Sequence, residues 1–437
     1  SYSSYEAFLD HCRRCHFTFG VTKVCPKKLE SERTLNYQFL QSYRLSDAQI
    51  DALTAPTVDE IRGILGNDYA KTLLFLRGMS VTEQTAVPRE NDYIKALQIE
   101  PEMLKDPYVR SQIHKLIKRR IEEAATGAVK VHGNYQIACG DPYALCQSMF
   151  KLPVTGLLKR DEFYSAYWSK KHISQIVSFR APMTCHNNIR RMNLTDSDEQ
   201  NYWYRYLTTV LIFNCHDTAT EAMNGEDFDG DMNFTTDNPI LMENHRILPT
   251  ILCIQRKAEK KIITEKLLIK ANKASFGDDI GKYTNGITSQ FELLSQYAPD
   301  SPEYKDLEYR IMCGQLFQQN AIDKAKGILC RPRPKHWFDP ACPHPNNDLA
   351  LTAYKKPYFM VYIYPSLMKQ YKKYVADADK KCLIRFGLCI DALRKKEQKS
   401  QEESDFLKYF DKYMPVGIHP CTVNRICKKM EDSFDDK

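Results

Sequence analysis

The stretch Asn224–Phe234 reads N-G-E-D-F-D-G-D-M-N-F and places carboxylates at alternate positions, Asp227, Asp229 and Asp231. Three like charges so close together repel one another, and a divalent cation with hard oxygen ligands is the most direct offset. Magnesium suits such a set. Gly230 lets the backbone turn where a side chain would obstruct, so the three carboxylates can converge on one point instead of alternating across a strand. The stretch is therefore expected to be a loop between strands. Two plainer readings compete, a solvated acidic turn and a calcium loop of the EF-hand kind. The calcium loop fails on detail, because its glycine position holds Met232 and its bidentate glutamate position holds Asn238.

The 437 residues suffice for two or three compact units, and 43% hydrophobic with 27% charged residues is ordinary for a soluble globular protein. A formal net charge of +7 permits a polyanionic partner without demanding one. Fifteen cysteines, an odd number in no regular framework, and no charged-then-apolar leader point to reduced thiols in a cytoplasm. No run approaches the ~18 apolar residues that a bilayer span needs, so no membrane role is expected. The chain opens on Ser1 rather than methionine, which suggests a processed product or the C-terminal part of something longer.

Near the start, His11, Cys12, Cys15, His16 and Cys25 invite a zinc reading, but no second C-x-x-C follows within forty residues, and ordinary thiols are the plainer account. From Thr34 to Gly78 the apolar spacing is helical, with helix starts marked by Ser46-Asp47 and by a Thr57/Glu60 capping box. A further helix is expected from Pro107 through Ile121. Its inner face would carry Ile113, Leu116, Ile117 and Ile121, and its outer face Arg110, Lys115, Lys118, Arg119 and Arg120, solvated or against phosphate. After Gly127 the period becomes strand-like: Val129 and Val131 alternate with polar residues, and Tyr135–Ala138 lead to a turn at Gly140-Asp141-Pro142. Tyr202, Trp203 and Tyr206 accompany Leu207, Val210, Leu211 and Ile212 and read as core rather than as a base-stacking platform.

Arg180-Ala-Pro182 is a proline-fixed turn whose arginine, beside a metal loop, would contact phosphate or ribose. Beyond Pro239, seven basic residues (Arg256, Lys257, Lys260, Lys261, Lys266, Lys270, Lys273) stand against Glu259 and Glu265 on an expected helical stretch. That surplus suits the wall of a nucleic-acid channel, or simply a solvated helix. Toward the C-terminus, Cys342 and His344 read as structural, 395–405 as an exposed helix or linker, and 432–437 as a frayed tail.

D-F-D-G-D resembles the metal-binding signature of the multisubunit and two-barrel RNA polymerases, in which three aspartates hold the catalytic magnesium. Arg180, Ala181 and Pro182 match that family's R-A-P element, with Arg190 and Arg191 near its end, while Thr184, Cys185 and His186 depart in spacing. Arg180 resembles the family arginine that lies near the nucleotide sugar and the RNA end. Gly281–Thr288 and Gly314–Gly327 look like helix-rich elements of the cellular RNA-dependent RNA polymerases, and Ala321, Asp323, Lys326 and Gly327 fit an A-x-D-x-x-K-G pattern. The style is that of single-chain, two-barrel polymerases of phage and cellular RNA-dependent type.

The resemblance implies an α+β fold with a double-psi β-barrel at 127–240. It is flanked by a mainly helical 1–126, a basic helical 241–330 lining a nucleic-acid channel, and a helical 331–437. It further implies template-directed nucleotidyl transfer, in which a primer 3′ hydroxyl attacks the α-phosphate of a nucleoside triphosphate. Asp227, Asp229 and Asp231 would be catalytic and hold magnesium, with Arg180, Arg190, Lys257, Lys261, Asp323 and Lys326 on the substrate or nucleic acid. The family's second, lysine-bearing barrel is not evident here, although Lys23, Lys27 and Lys28 in residues 1–30 could close one. An upstream segment or a second chain is the expected source. The competing readings are a magnesium-dependent phosphodiester hydrolase and an inactive nucleic-acid-binding subunit.

Overall fold

The structure, a computed structural model, describes all residues except 1, 19, 21–23, 79–88, 276–278, 343–347 and 435–437. Lys23, His344 and the last three tail residues fall outside the described set. Six short strands close into a barrel: β1 (Asn134–Gly140), β2 (Glu162–Tyr164), β3 (Gln175–Arg180), β4 (Arg190–Leu194), β5 (Val210–Phe213) and β6 (Met232–Thr236). The order around it is β1-β5-β2-β4-β3-β6, returning to β1. β1 with β5 and β2 with β4 run parallel, and the other four pairs antiparallel. Exchanging β1 for β4, β2 for β5 and β3 for β6 preserves the whole set of pairings with their senses: the β2–β5 and β3–β6 pairs map onto themselves, and the other four exchange in twos. The barrel therefore has the internal two-fold of a double-psi fold, and closure leaves no sheet edge unpaired.

Alternation along the strands divides the side chains between two surroundings. Leu211 and Phe213 pack with Phe163, Ile176 and Met192, whereas Val210 and Ile212 pack with Tyr164 and Tyr204. Val177, Phe179 and Phe234 join a larger apolar core in which Phe39 stacks at 4.8 Å on Phe179 and 5.7 Å on Phe234. That core is helical: α1 (Asp47–Leu65), α2 (Pro107–Ala125) and, from the far end of the chain, Thr422–Phe434 supply Ile50, Ile61, Ile113, Ile117, Ile426 and Met430.

α1 starts at Ser46-Asp47, as the sequence indicates, with Ser46 and Gln49 forming a capping box, but no second helix begins at Thr57. α1 runs on through Pro56 because Thr54, Thr57, Val58 and Ile61 are buried, and that packing outweighs the proline's lost hydrogen bond. The Thr57 hydroxyl instead accepts from the Lys130 N–H at 2.8 Å. On α2, Arg120 is not on the basic outer face. It is buried, where its guanidinium donates to the Ala128 carbonyl at 2.8 Å.

Between the barrel and the C-terminal helices lie α3 (Asp279–Leu294) and α4 (Pro302–Ile322), with α5 the Thr422–Phe434 helix. α3 and α4 approach closely at Gly314, where a β-carbon would stand 2.6 Å from the Ile287 side chain. Two expectations change here. The stretch from Arg256 to Thr264 is not helical and becomes so only over Glu265–Ser275, so its positive charge is split between an irregular strap and an exposed helix. Tyr202, Trp203 and Tyr206 are not core: they are 61%, 48% and 82% exposed, and from this segment it is Tyr204, with Val210–Phe213 of β5, that is buried. Among the described residues no helix is long and apolar enough to cross a membrane.

Candidate active site at one end of the barrel

The chain ends of β1, β3 and β5 and the beginning of β6 meet at one end of the barrel, since β6 is antiparallel to β1 and β3. The loop Asn224–Asp231 enters β6 there. It begins with two residues in the left-handed region, Asn224 and Gly225, and reaches Gly230 at φ +115, a conformation that L side chains rarely adopt. Asp231 fixes the loop twice: its carbonyl accepts from Ala138 of β1 at 2.9 Å, and its carboxylate accepts from the Asp227 N–H at 2.9 Å. Phe228 lies over Gly140, where a β-carbon would come within 2.9 Å of its ring.

Arg180, the last residue of β3, binds the loop from beneath. It is buried, donates to the Met223 and Asn224 carbonyls at 3.0 Å each, and pairs with Asp231 at 2.8 Å. Lys326 approaches from above: its ammonium lies 3.0 Å from Asp227 and 3.0 Å from Asp323. Asp323 also accepts from Gln255 at 2.6 Å, and the backbone of 256–258 pairs with that of 327–329 beside it. Hydrogen bonding to the two aspartates raises the Lys326 pKa well above the ordinary lysine value. Asp229 is exposed and makes no hydrogen bond or ion pair with the described residues.

The structure thus brings Asp227, Asp231, Arg180, Asp323 and Lys326 together, with Asp229 on the same turn. Lys257 enters this group only through its backbone bridge to Ile328, and Lys261 is exposed on the extended strap. Arg190 turns elsewhere, donating to the Leu248 carbonyl at 3.1 Å and to the Thr250 hydroxyl at 3.3 Å, so it anchors the base of the strap. The expected convergence of the three carboxylates on one point is corrected: the described residues hold no group of three side chains so arranged. Asp227 and Asp231 each lean toward their own cation, because adjacent anions lower their repulsion by taking the nearest counter-charge. The donor chemistry still suits magnesium, since three hard oxygen ligands stand on one five-residue turn open to solvent at Asp227 and Asp229.

Several supporting residues lie outside the sequence reading. Asn224 donates to the Pro182 carbonyl at 3.1 Å and to Gln318 at 2.9 Å, which ties the loop to α4. Gln319 stands so close to Gly225 that a β-carbon would meet it at 2.3 Å. Glu226 is buried against Asn233, which donates to it at 2.6 Å. Burial pushes the Glu226 carboxyl up to about 8, against the lowering effect of Asn233 and Arg180. The amide-rich Gln318-Gln319-Asn320 run was the available signal for the first two, and the N-G-E opening of the loop for the third.

The chain is 25% identical over 314 residues to the DNA-directed RNA polymerase YonO of Bacillus phage SPbeta, a match covering 70% of this chain and 35% of that protein. Among solved structures, the RNA dependent RNA polymerase QDE-1 from Thielavia terrestris aligns over 70% of this chain and 36% of its own, at 13% identity and a TM-score of 0.43. The chain therefore spans about a third of the length of each of these two proteins. The sequence model described as RNA dependent RNA polymerase matches residues 27–303, well over half of the 437, and on that match the chain belongs to the RNA-dependent RNA polymerase family.

Proposed function

We propose that this chain is the metal-binding half of a template-directed nucleotidyltransferase. The observation that carries the reading is the aspartate turn held at an open barrel end between a buried arginine and an exposed lysine. Asp227, Asp229 and Asp231 would hold magnesium, which when bound supplies charge stabilisation for the attacking and leaving oxygens of a phosphoryl transfer. Arg180 fixes the turn and the Asp231 carboxylate in place. Lys326, with a side chain 62% exposed, is free to leave Asp227 for the phosphates of a nucleoside triphosphate.

Lys257 and Lys261 on the strap, with the lysines of the following helix, supply positive surface for a template and nascent RNA. Arg190 serves this surface indirectly, by anchoring the strap. The described residues contain a single closed barrel, so the lysine-bearing second barrel is proposed to come from an upstream segment or a partner chain. A cytoplasmic setting accompanies the proposal, supported by fifteen cysteines that are all free thiols.

The test is incorporation of labelled nucleotides on DNA and RNA templates with magnesium, by this chain alone and joined to its upstream segment or partner. Template-dependent product that disappears with Asp229→Asn supports the reading. Metal-dependent cleavage of the same nucleic acids without any incorporation replaces it with a hydrolase, and indifference to Asp229→Asn in every assay leaves a binding subunit.

A further inference from the structure

A cavity of about 330 Å3 lies where residues 41–46, the turn after the R-A-P element, α3, α4 and the start of α5 meet, and no described residue of the aspartate loop lines it. Its wall carries three guanidinium groups, Arg44, Arg246 and Arg425, against one carboxylate, Glu308. Arg44 donates to the Tyr297 carbonyl at 3.2 Å and Arg246 to Glu308 at 3.3 Å, while Arg425 holds the Leu45 carbonyl and Asp47. A guanidinium has five N–H donors, so Arg44 and Arg246 keep several for a further acceptor.

The helices add to this positive field. Ser46 caps α1, Tyr304 stands in the first turn of α4 and Thr422 opens α5, so three helix amino ends border the same space. His186 contributes no charge: burial drives its imidazole down to about 3, and its Nε2 accepts from the Arg246 N–H at 3.0 Å. A separate observation points to a ligand. Gln41 is 6% exposed and lines the cavity, its carbonyl oxygen accepts from Thr288 at 2.9 Å, and its side-chain NH2 is buried with no acceptor among the described residues. An unpaired buried donor is costly, and an acceptor delivered into the cavity would remove that cost.

We propose that this cavity binds a nucleotide-sized phosphate ester, with its phosphate among Arg44, Arg246 and the helix amino ends and its ring against Phe291. The volume lies at the lower end of the range for small-molecule sites, and the lining mixes cations, amides and aromatic surface as such a ligand requires. The site adjoins the catalytic turn through the backbone. Residues 185–187 line it, and the next residue, Asn188, donates to the Ala222 carbonyl at 2.8 Å, one residue before the carbonyls that Arg180 holds. Occupancy therefore bears on the base of the aspartate loop.

The test is calorimetric titration of adenosine monophosphate and, separately, inorganic phosphate into the whole chain in EDTA, which suppresses metal-dependent nucleotide binding at the aspartates. Saturable binding of the nucleotide below about 1 mM, at least about tenfold tighter than phosphate, is expected. Arg246→Glu and, independently, Arg44→Glu should each weaken it at least about tenfold while Asp227→Asn leaves it unchanged. Hydrogen exchange should slow at 185–187 and 420–425. Absence of nucleotide binding, affinity no better than that of phosphate, or loss with Asp227→Asn but not with the arginine variants overturns the proposal.

Discussion

Lys326 and Asp227 are 99 residues apart in the chain, yet the lysine ammonium lies 3.0 Å from the Asp227 carboxylate. A tethered cation on a carboxylate proposed to hold a metal would compete with that metal. Lys326→Met is therefore expected to tighten manganese binding roughly two- to fivefold, the range open to an exposed ion pair, as read by electron paramagnetic resonance titration. Nucleotide incorporation should fall in the same variant, because the proposed phosphate contact of Lys326 would be lost. Weaker manganese binding would show that Lys326 organises the ligands rather than opposing the metal.

Asp229 and Asp231 should separate binding from stability. Asp229 makes no hydrogen bond or ion pair with a described residue, so Asp229→Asn should abolish manganese binding and leave the melting temperature unchanged. Asp231→Asn removes the carboxylate that faces buried Arg180 and closes the loop on Asp227, and should also cost about 1–3 kcal/mol in denaturant unfolding. Equal stability of the two variants would contradict the anchoring role of Asp231.

Arg180→Lys keeps the charge but not the fork that spans two carbonyls and a carboxylate. Stability should fall by about 1–3 kcal/mol, and manganese affinity should fall with it because the loop loses its floor. A lysine variant equal to the parent in both measurements would show that charge alone suffices.

Glu292 sets an expected pH dependence. It is buried, accepts from the His419 N–H at 2.8 Å and from Asn424 at 3.0 Å, and burial pushes its carboxyl up to about 7. With a folded value above the unfolded one of 4.5, the folded state holds the extra proton between those limits. This group's contribution is thus fully present below the unfolded value, falls as pH rises toward 7, and is flat above it. Thermal melts at pH 5, 6, 7 and 8 should show a steeper decline in the parent than in Glu292→Gln. Parallel curves would assign the slope to other groups.

The aspartate turn, the R-A-P element and the Asp323–Lys326 segment were legible because each depends on residue types at fixed local spacing. The structure adds that Arg180 and Lys326 grip the same loop from opposite sides. What the sequence hid depends on tertiary partners. Thr57 with Glu60 reads as a helix start until the burial around Thr57 is known, and Arg120 reads as a surface residue until the Ala128 carbonyl is found beside it. Tyr202, Trp203 and Tyr206 carry a core-like pattern, but the buried aromatic of that segment is their neighbour Tyr204. The non-helical start of the basic stretch is likewise set from outside, where 256–258 pair with 327–329.

Residues of α5 fill the core that α1 and α2 begin, with the whole barrel threaded between them. During synthesis the early helices leave the ribosome with an apolar groove that cannot be filled until some three hundred further residues have been made, an interval read from the chain positions of α2 and α5. The nascent chain must keep that groove from sticking to its neighbours, and a stop codon placed just before Thr422 would leave exposed the apolar faces of α1 and α2, made long before it.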